Sequence, residues 1–384
     1  RSRNNQLALV ALEQIRPAVT AAIDEYGADR VGIVLGTSTS GISGTELALR
    51  DYAETGKLSA DFHYAQQEMG SLAECLAYEL QLSGPAYVHS SACSSSAKAM
   101  ASAARLIKMG VCDAVITGGV DSLCEFTVAG FSALESVSKQ ICQPMSANRD
   151  GINIGEGAAL FLMSKQASNI ALVGWGESSD GHHMSAPDPT GIGATLAIQQ
   201  ALQRAHLNAS DIDYINMHGT ATLQNDAMES RVIHALFGDQ VLSSSTKTFT
   251  GHTLGAAAAI EAALCWICMQ DGCRSSFDQG RPRPARLSRV AARALNSALL
   301  SERLRSCPDS ARVTKVQLLR SPGRYKAAAC RTVSMSRSRA TVSVWVHLRS
   351  KRSRRLQMAF WRMGSKVAVR LEFEPGYVAL LHLR

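Results

Sequence analysis

Along the first two-thirds of the chain, apolar positions switch between short continuous runs and helical spacing. Val31-Gly32-Ile33-Val34-Leu35-Gly36 is an apolar run ending in glycine, the pattern of a strand buried on both faces. Helical spacing follows at 70–82. The breaker pair Gly84-Pro85 precedes a second strand at 86–90. Residues 94–109, rich in Ala and Lys, predict a helix that Gly110 stops. The pattern then predicts strands at 114–118, 157–163 and 170–174, a helix at 195–205 and a strand at 214–217. A helix at 226–237, a strand at 241–245 and an Ala-rich apolar helix at 254–267 complete it. Repeated β-α-β-α with apolar strands indicates an α/β protein whose sheets are covered on both faces. No short-period repeat is visible, which argues against a solenoid.

Past Cys273 the pattern dissolves. Arg281-Pro282-Arg283-Pro284-Ala285-Arg286 has no usable apolar period, and Lys351-Arg352-Ser353-Arg354-Arg355 is a charge run. The net charge of +8 hides this break. From Arg274 onward there are 25 Lys and Arg against 5 Asp and Glu, leaving 40 − 25 = 15 basic and 32 − 5 = 27 acidic residues before it. Such asymmetry can mark a nucleic-acid or membrane tail. No aromatic interleaving or binding motif accompanies these arginines, so a solvated segment is the preferred reading, with no nucleic-acid partner. No apolar run reaches about 18 residues, so no membrane insertion is expected. Basic residues open the chain at Arg1-Ser2-Arg3, but a helical polar and apolar mixture follows rather than a signal-peptide core. Ten cysteines without disulfide-like spacing point to the reducing cytoplasm.

Four segments carry candidate chemistry. Ser91-Ala92-Cys93-Ser94-Ser95-Ser96-Ala97 places a cysteine between a strand and a helix, where unpaired N–H groups and the helix dipole favour thiolate. Most lone cysteines are inert core; the turn is what raises Cys93 above that. His218-Gly219-Thr220-Ala221-Thr222 lies at the C-terminal end of a predicted strand, where α/β sheets present ligand-contacting groups. Gly251-His252-Thr253-Leu254-Gly255 puts a second histidine on a turn before a small-residue helix. Either histidine alone would more often be a structural one. Gly151-Ile152-Asn153-Ile154-Gly155-Glu156-Gly157 is Gly-rich but is not GxGxxG, and reads better as a tight turn into a strand than as a phosphate cradle. Cys265 and Cys268, with Cys273 beyond them, superficially suggest a metal. No second pair follows and the first two fall in an apolar helix, so no metal is assigned. Cys75, Cys112, Cys124 and Cys142 read as small core residues. His182-His183 reads as a loop at a substrate mouth.

Taken in order, Ala92-Cys93-Ser94-Ser95, Gly155-Glu156-Gly157-Ala158, His218-Gly219-Thr220-Ala221-Thr222 with Asn225-Asp226, and Ser245-Thr246-Lys247 with Gly251-His252-Thr253-Leu254-Gly255 resemble the elongating β-ketoacyl-acyl-carrier-protein synthases. Leu35-Gly36-Thr37-Ser38-Thr39-Ser40 and Gly176-Glu177-Ser178-Ser179-Asp180 are similar to the synthases of bacterial aryl-polyene clusters. The resemblance implies a thiolase-like α/β fold: two related α-β-α halves with mixed sheets covered by helices, incomplete at both ends. Residues 1–165 would be the half with the nucleophile, 166–267 the half with both histidines, and 268–384 a basic tail foreign to the family.

It also implies roles. Cys93 would accept an acyl group as a thioester. His218 and His252 would act on malonyl-acyl carrier protein in a decarboxylative Claisen condensation. Lys247 matches the family's active-site lysine and Glu261 its partner. Asp226 and Glu229 match acidic positions that order the site, and Thr220 and Thr222 match threonines that bind the phosphopantetheine arm. No cofactor is implied beyond that arm on the carrier protein. The partners implied are acyl carrier protein and a second condensing-enzyme chain, in a homodimer or a related heterodimer. A thiolase would need a second catalytic cysteine, and a starter-unit synthase would carry Asn in place of His252.

Two departures stand against the family pattern. The family begins with a strand that this chain lacks. It closes with a Gly-rich loop that supplies a gating Phe and half of the oxyanion hole, and no such phrase follows Cys273. The Arg, Ser, Pro and Ala bias of the tail reads as out-of-frame translation of a GC-rich gene. Without that loop the chain is expected to be catalytically impaired, or a non-catalytic partner.

Overall fold

The computed structural model describes residues 1–270, apart from Asn169 and Met184, and two short strands, Leu356–Met358 and Val369–Leu371, which pair antiparallel. The rest of the basic tail, including Cys273 and the arginine runs, lies outside the described residues.

Helix α1 (Arg3–Tyr26) opens the chain, capped by Ser2, whose hydroxyl accepts the Asn5 N–H. Ala8, Leu12, Ile15, Val19 and Ala22 bury one stripe of it, at the 3–4 spacing that lines one helical face. The first sheet consists of β1 (Val31–Gly36), β2 (Ala86–His89), β3 (Ala114–Asp121) and β4 (Gly157–Ser164), in the order β2-β1-β3-β4. The first three are parallel and β4 runs antiparallel to β3 across eight paired positions, from Ala114 with Ser164 to Asp121 with Gly157.

Side chains sort by strand alternation. Ile33, Leu35 and Ile116 face the core formed with α1 and with α3 (Ser71–Leu80). Val34 and Val115 face the opposite core, shared with α4 (Ser95–Lys108) and α9 (Ala257–Gln270). A sheet covered on both faces gives continuous apolar runs, and for that reason β1 and β3 are legible in the sequence. Helices α2 (Ile42–Thr55) and α5 (Glu125–Ala133) lie between these strands and were not predicted. α2 buries only Ala48 and α5 buries nothing, so neither carries a periodic apolar face.

The second half is slighter. α6 (Ile192–Ala205) and α7 (Leu223–Phe237) pack with β5 (Tyr214–Asn216), which pairs in parallel with β6 (Leu242–Ser244). A four-residue helix, α8 (Lys247–Thr250), and a 3₁₀ turn at Leu254–Ala256 lead into α9. The helix expected at 254–267 thus starts as a 3₁₀ turn and runs three residues further, to Gln270. The strand expected at 170–174 does not form. Ile170 is buried and Leu172 packs against the α4–α9 core, as an apolar run should, but a strand also needs a ladder partner, and this segment has none among the described residues.

α4 reaches the sheet because two glycines let it. A Cβ on Gly36 of β1 would lie 2.3 Å from the Ser96 nitrogen, and one on Gly119 of β3 would lie 2.5 Å from the Ser96 Cβ. The first turn of α4 therefore rests on bare backbone. The Ser96 hydroxyl then accepts the Ala259 N–H of α9 at 3.0 Å, tying the two middle helices together beside the site.

Candidate active site

Cys93 sits in the tight turn between β2 and α4. Ala92 adopts φ +51°, the left-handed region that a residue with a Cβ rarely occupies. The Ser95 hydroxyl holds this turn, accepting the Ser91 N–H at 2.9 Å and donating to the Ala92 carbonyl at 2.6 Å. The turn aims the thiol out of the helix start. Its Sγ lies 3.0 Å from Nε2 of His252.

His252 is fixed by its backbone. Its N–H donates to the Asn153 carbonyl at 2.6 Å and its carbonyl accepts the Gly155 N–H at 3.0 Å. The Gly-rich segment therefore does two things: it turns into β4 at Gly157, and on the way it forms the bridge that seats His252. Glu156, within it, takes a bidentate pair from Arg3 and the Leu123 N–H. This support was not foreseen, although a carboxylate in an apolar, Gly-rich turn was a signal for it. The Asn153 side chain fastens the neighbouring loop, accepting the Cys142 N–H and donating to the Gln140 carbonyl, both at 2.8 Å.

His218 follows β5, and the ring centroids of His218 and His252 are 5.3 Å apart, edge to face. The His218 N–H donates to Glu229 at 2.6 Å and the Gly219 N–H to the other oxygen of the same carboxylate at 2.8 Å. Asp226, one turn earlier on α7, accepts the Ala221 N–H at 3.1 Å and the Met145 N–H at 2.7 Å. Asp226 and Glu229 are buried and both touch loop backbone, so they shape the 218–221 loop. Burial pushes the Glu229 carboxyl up to about 7, against the two backbone donors and the charge of Lys247, which favour the anion.

Lys247, 1% exposed, pairs with Glu261, itself buried. Burial pushes the Glu261 carboxyl up and the neighbouring ammonium pulls it down. Thr220 and Thr222 bond to each other through their hydroxyls at 2.9 Å. His182 and His183 stand in an exposed loop. Cys265 faces Asn216 from within α9, and burial pushes its thiol up to about 12, the behaviour of a core cysteine.

The ligating atoms of Cys93, His218 and His252 all lie within 4.8 Å of one another. Residues 93, 218 and 252, far apart in sequence, thus converge on one point. A thiol beside two imidazoles offers a nucleophile and two positioned N–H donors for developing negative charge. The same soft donor set could take zinc, at the expense of the Cys93–His252 contact.

Residues 3–168 match the β-ketoacyl synthase N-terminal domain and residues 170–276 the β-ketoacyl synthase C-terminal domain. Nodulation protein E of Rhizobium meliloti (strain 1021) is 34% identical over 283 residues, 70% of each chain. A 3-oxoacyl-[acyl-carrier-protein] synthase 2 of Staphylococcus aureus is 30% identical over 287 residues, 70% of this chain and 71% of that one. Among solved structures, the ketosynthase ApeO in complex with its chain length factor ApeC, from Xenorhabdus doucetiae, is 48% identical with a TM-score of 0.69, over 70% of this chain and 68% of that one. With both domains matched across a thiolase-like α/β fold, the chain belongs to the β-ketoacyl synthases, the acyltransferases that condense acyl units in fatty acid and polyketide elongation.

Proposed function

We propose that this chain elongates acyl chains by decarboxylative Claisen condensation, with Cys93 as nucleophile. The observation that carries the reading is the 3.0 Å approach of the Cys93 thiol to His252, with the His218 ring beside it. Cys93 attacks the thioester of an acyl-acyl carrier protein, and the pantetheine thiol leaves with the proton. Malonyl-acyl carrier protein then loses CO2. The resulting enolate oxygen is stabilised by N–H donors of His218 and His252, which is where binding energy lowers the barrier. The enolate carbon attacks the Cys93 thioester, freeing the thiolate and giving a β-ketoacyl-acyl carrier protein two carbons longer.

Lys247 and Glu261 act in this reading as a buried charge pair, and Asp226 and Glu229 as the clamp on the His218 loop. Thr220 and Thr222 receive the phosphopantetheine arm. Residues 1–165 and 166–267 act as the two halves. A second condensing-enzyme chain pairs with this one, and β2 leaves one edge of the first sheet open to it among the described residues. The ten cysteines, without disulfide-like spacing, suit a reducing cytoplasm. No described helix is long and apolar enough to cross a membrane. The phrases around Thr37 and Glu177, similar to those of aryl-polyene synthases, support a role in aryl-polyene synthesis.

The test combines acyl- and malonyl-acyl carrier protein and follows CO2 release with β-ketoacyl product. His218→Ala is expected to abolish both while leaving acyl-Cys93 detectable. Full product formation by His218→Ala would overturn the assignment. A second reading, a condensing-enzyme partner without turnover, is favoured by one observation: the family match ends at residue 276 of a 384-residue chain. Acyl loading with no β-ketoacyl product from the wild-type chain would support that reading instead.

A further inference from the structure

Asp121 closes β3, fully buried, and none of the roles above uses it. Its Oδ1 takes four donors from a single loop: the Thr37 hydroxyl at 2.7 Å, the Ser38 N–H at 2.7 Å, and the Thr39 N–H and hydroxyl, each at 2.9 Å. Desolvation pushes this carboxyl up and the donors pull it down. Four donors on one buried oxygen fix the loop that supplies them, while Oδ2 of the same carboxyl has no hydrogen-bond partner among the described residues. That loop carries Ser38. The Ser38 hydroxyl donates to the Ala92 carbonyl at 3.2 Å, on the strained residue that precedes the nucleophile.

The other side of the same unit meets the histidine loop. A Cβ on Gly255 would lie 2.5 Å from the Ser38 Oγ and 2.8 Å from the Asp121 Oδ2. Ser38 and Asp121 therefore stand between the turn that bears Cys93 and the turn that follows His252.

We propose that Asp121 and Ser38 are positioning residues for the nucleophile: Asp121 rigidifies the 37–39 loop so that the Ser38 hydroxyl holds the Ala92 carbonyl and keeps Cys93 aimed at His252. The inference rests on the reading of Cys93 as nucleophile and adds residues that touch neither substrate nor the reacting atoms.

Ser38→Ala deletes only the hydroxyl. His252 keeps its backbone bonds to Asn153 and Gly155, neither of which involves Ser38. The expected result is therefore a split. Alkylation of Cys93 by iodoacetamide and acyl loading from acyl-acyl carrier protein slow by about three- to tenfold, the worth of one neutral hydrogen bond. Malonyl-acyl carrier protein decarboxylation stays unchanged, and the melting temperature falls by no more than the few degrees that one hydrogen bond is worth. Asp121→Ala slows loading further, and Asp121→Asn, which keeps an oxygen at the Oδ1 position, restores part of it. Equal Cys93 reactivity in wild type and Ser38→Ala overturns the inference, as does a parallel loss of loading, decarboxylation and melting temperature. If Cys93 of the wild-type chain neither alkylates nor loads, the nucleophile assignment falls first and this inference with it.

Discussion

The two halves of the molecule bring their proposed catalytic residues to the same point by different means. In the first half, a four-stranded sheet with β1 and β3 wholly buried makes a platform, and α4 lands on it through Gly36 and Gly119. Packing seats the start of α4, and hydrogen bonds from Ser95 and Ser38 hold the turn that bears Cys93. In the second half the paired strands are three residues long, and β6 has no buried residue. There, buried charge does the holding: Glu229 and Asp226 clasp the His218 loop, and Lys247 pairs with Glu261 of α9. His252 leans on the first half, through Asn153 and Gly155. Packing tolerates small changes, whereas a buried ion pair that loses one member leaves an uncompensated charge. Substitutions in the second half should therefore cost more per atom removed.

The largest effect is expected at Lys247. Lys247→Ala strands the Glu261 carboxylate and should destabilise the fold by about 3–5 kcal/mol, read from urea denaturation midpoints. Lys247→Met combined with Glu261→Leu should recover most of that loss; an additive loss in the double variant would show that the pair is not the cause. Next comes the α7 clamp. Asp226→Ala frees the Ala221 and Met145 N–H groups, and about 1.5–3 kcal/mol of stability should go with hydrogen bonds to a charged acceptor. Decarboxylation should fall with it, while Cys93 alkylation should hold.

Glu229 sharpens the contrast through pH. Its folded-state value, about 7, lies above the ordinary 4.5, so the folded chain holds this proton more tightly than the unfolded one. The group's contribution to stability is full below about 4.5 and is lost as pH rises toward 7. Melting temperatures of wild type and Glu229→Gln, taken from pH 4.5 to 7, should diverge in the direction that penalises wild type at the upper end. A constant gap would contradict a raised Glu229. The smallest effect belongs to the packed half: Ser96→Ala leaves the Ala259 N–H without its acceptor and should cost about 1 kcal/mol in the same denaturation assay.

The contrast also governs what the sequence reveals. Strands β1 and β3 announce themselves because both faces are covered, and Cys93, His218 and His252 stand on turns whose residues resemble a known family. The supports are harder to read. Glu229 acts on backbone N–H groups, which carry no side-chain signature, and its sequence context equally suits a solvated helix residue. Arg3 and Glu156 meet across 153 residues of chain, a distance that local pattern does not span. α2 and α5 expose most of their length, so no apolar period marks them. At 170–174 the apolar run shows burial correctly but implies a strand, because periodicity reports which side chains are covered and not which backbone finds a partner. The composition break near Cys273 is plain in the sequence, while the arginine runs beyond it lie outside the described residues.

Mass spectrometry of the intact chain after incubation with an acyl-acyl carrier protein, comparing wild type with Cys93→Ala, tests the central claim most directly. The account predicts an acyl adduct on the wild type, mapped by peptide digestion to Cys93, and none on the variant. An adduct of equal yield on Cys93→Ala, or none on folded wild-type protein, would contradict it.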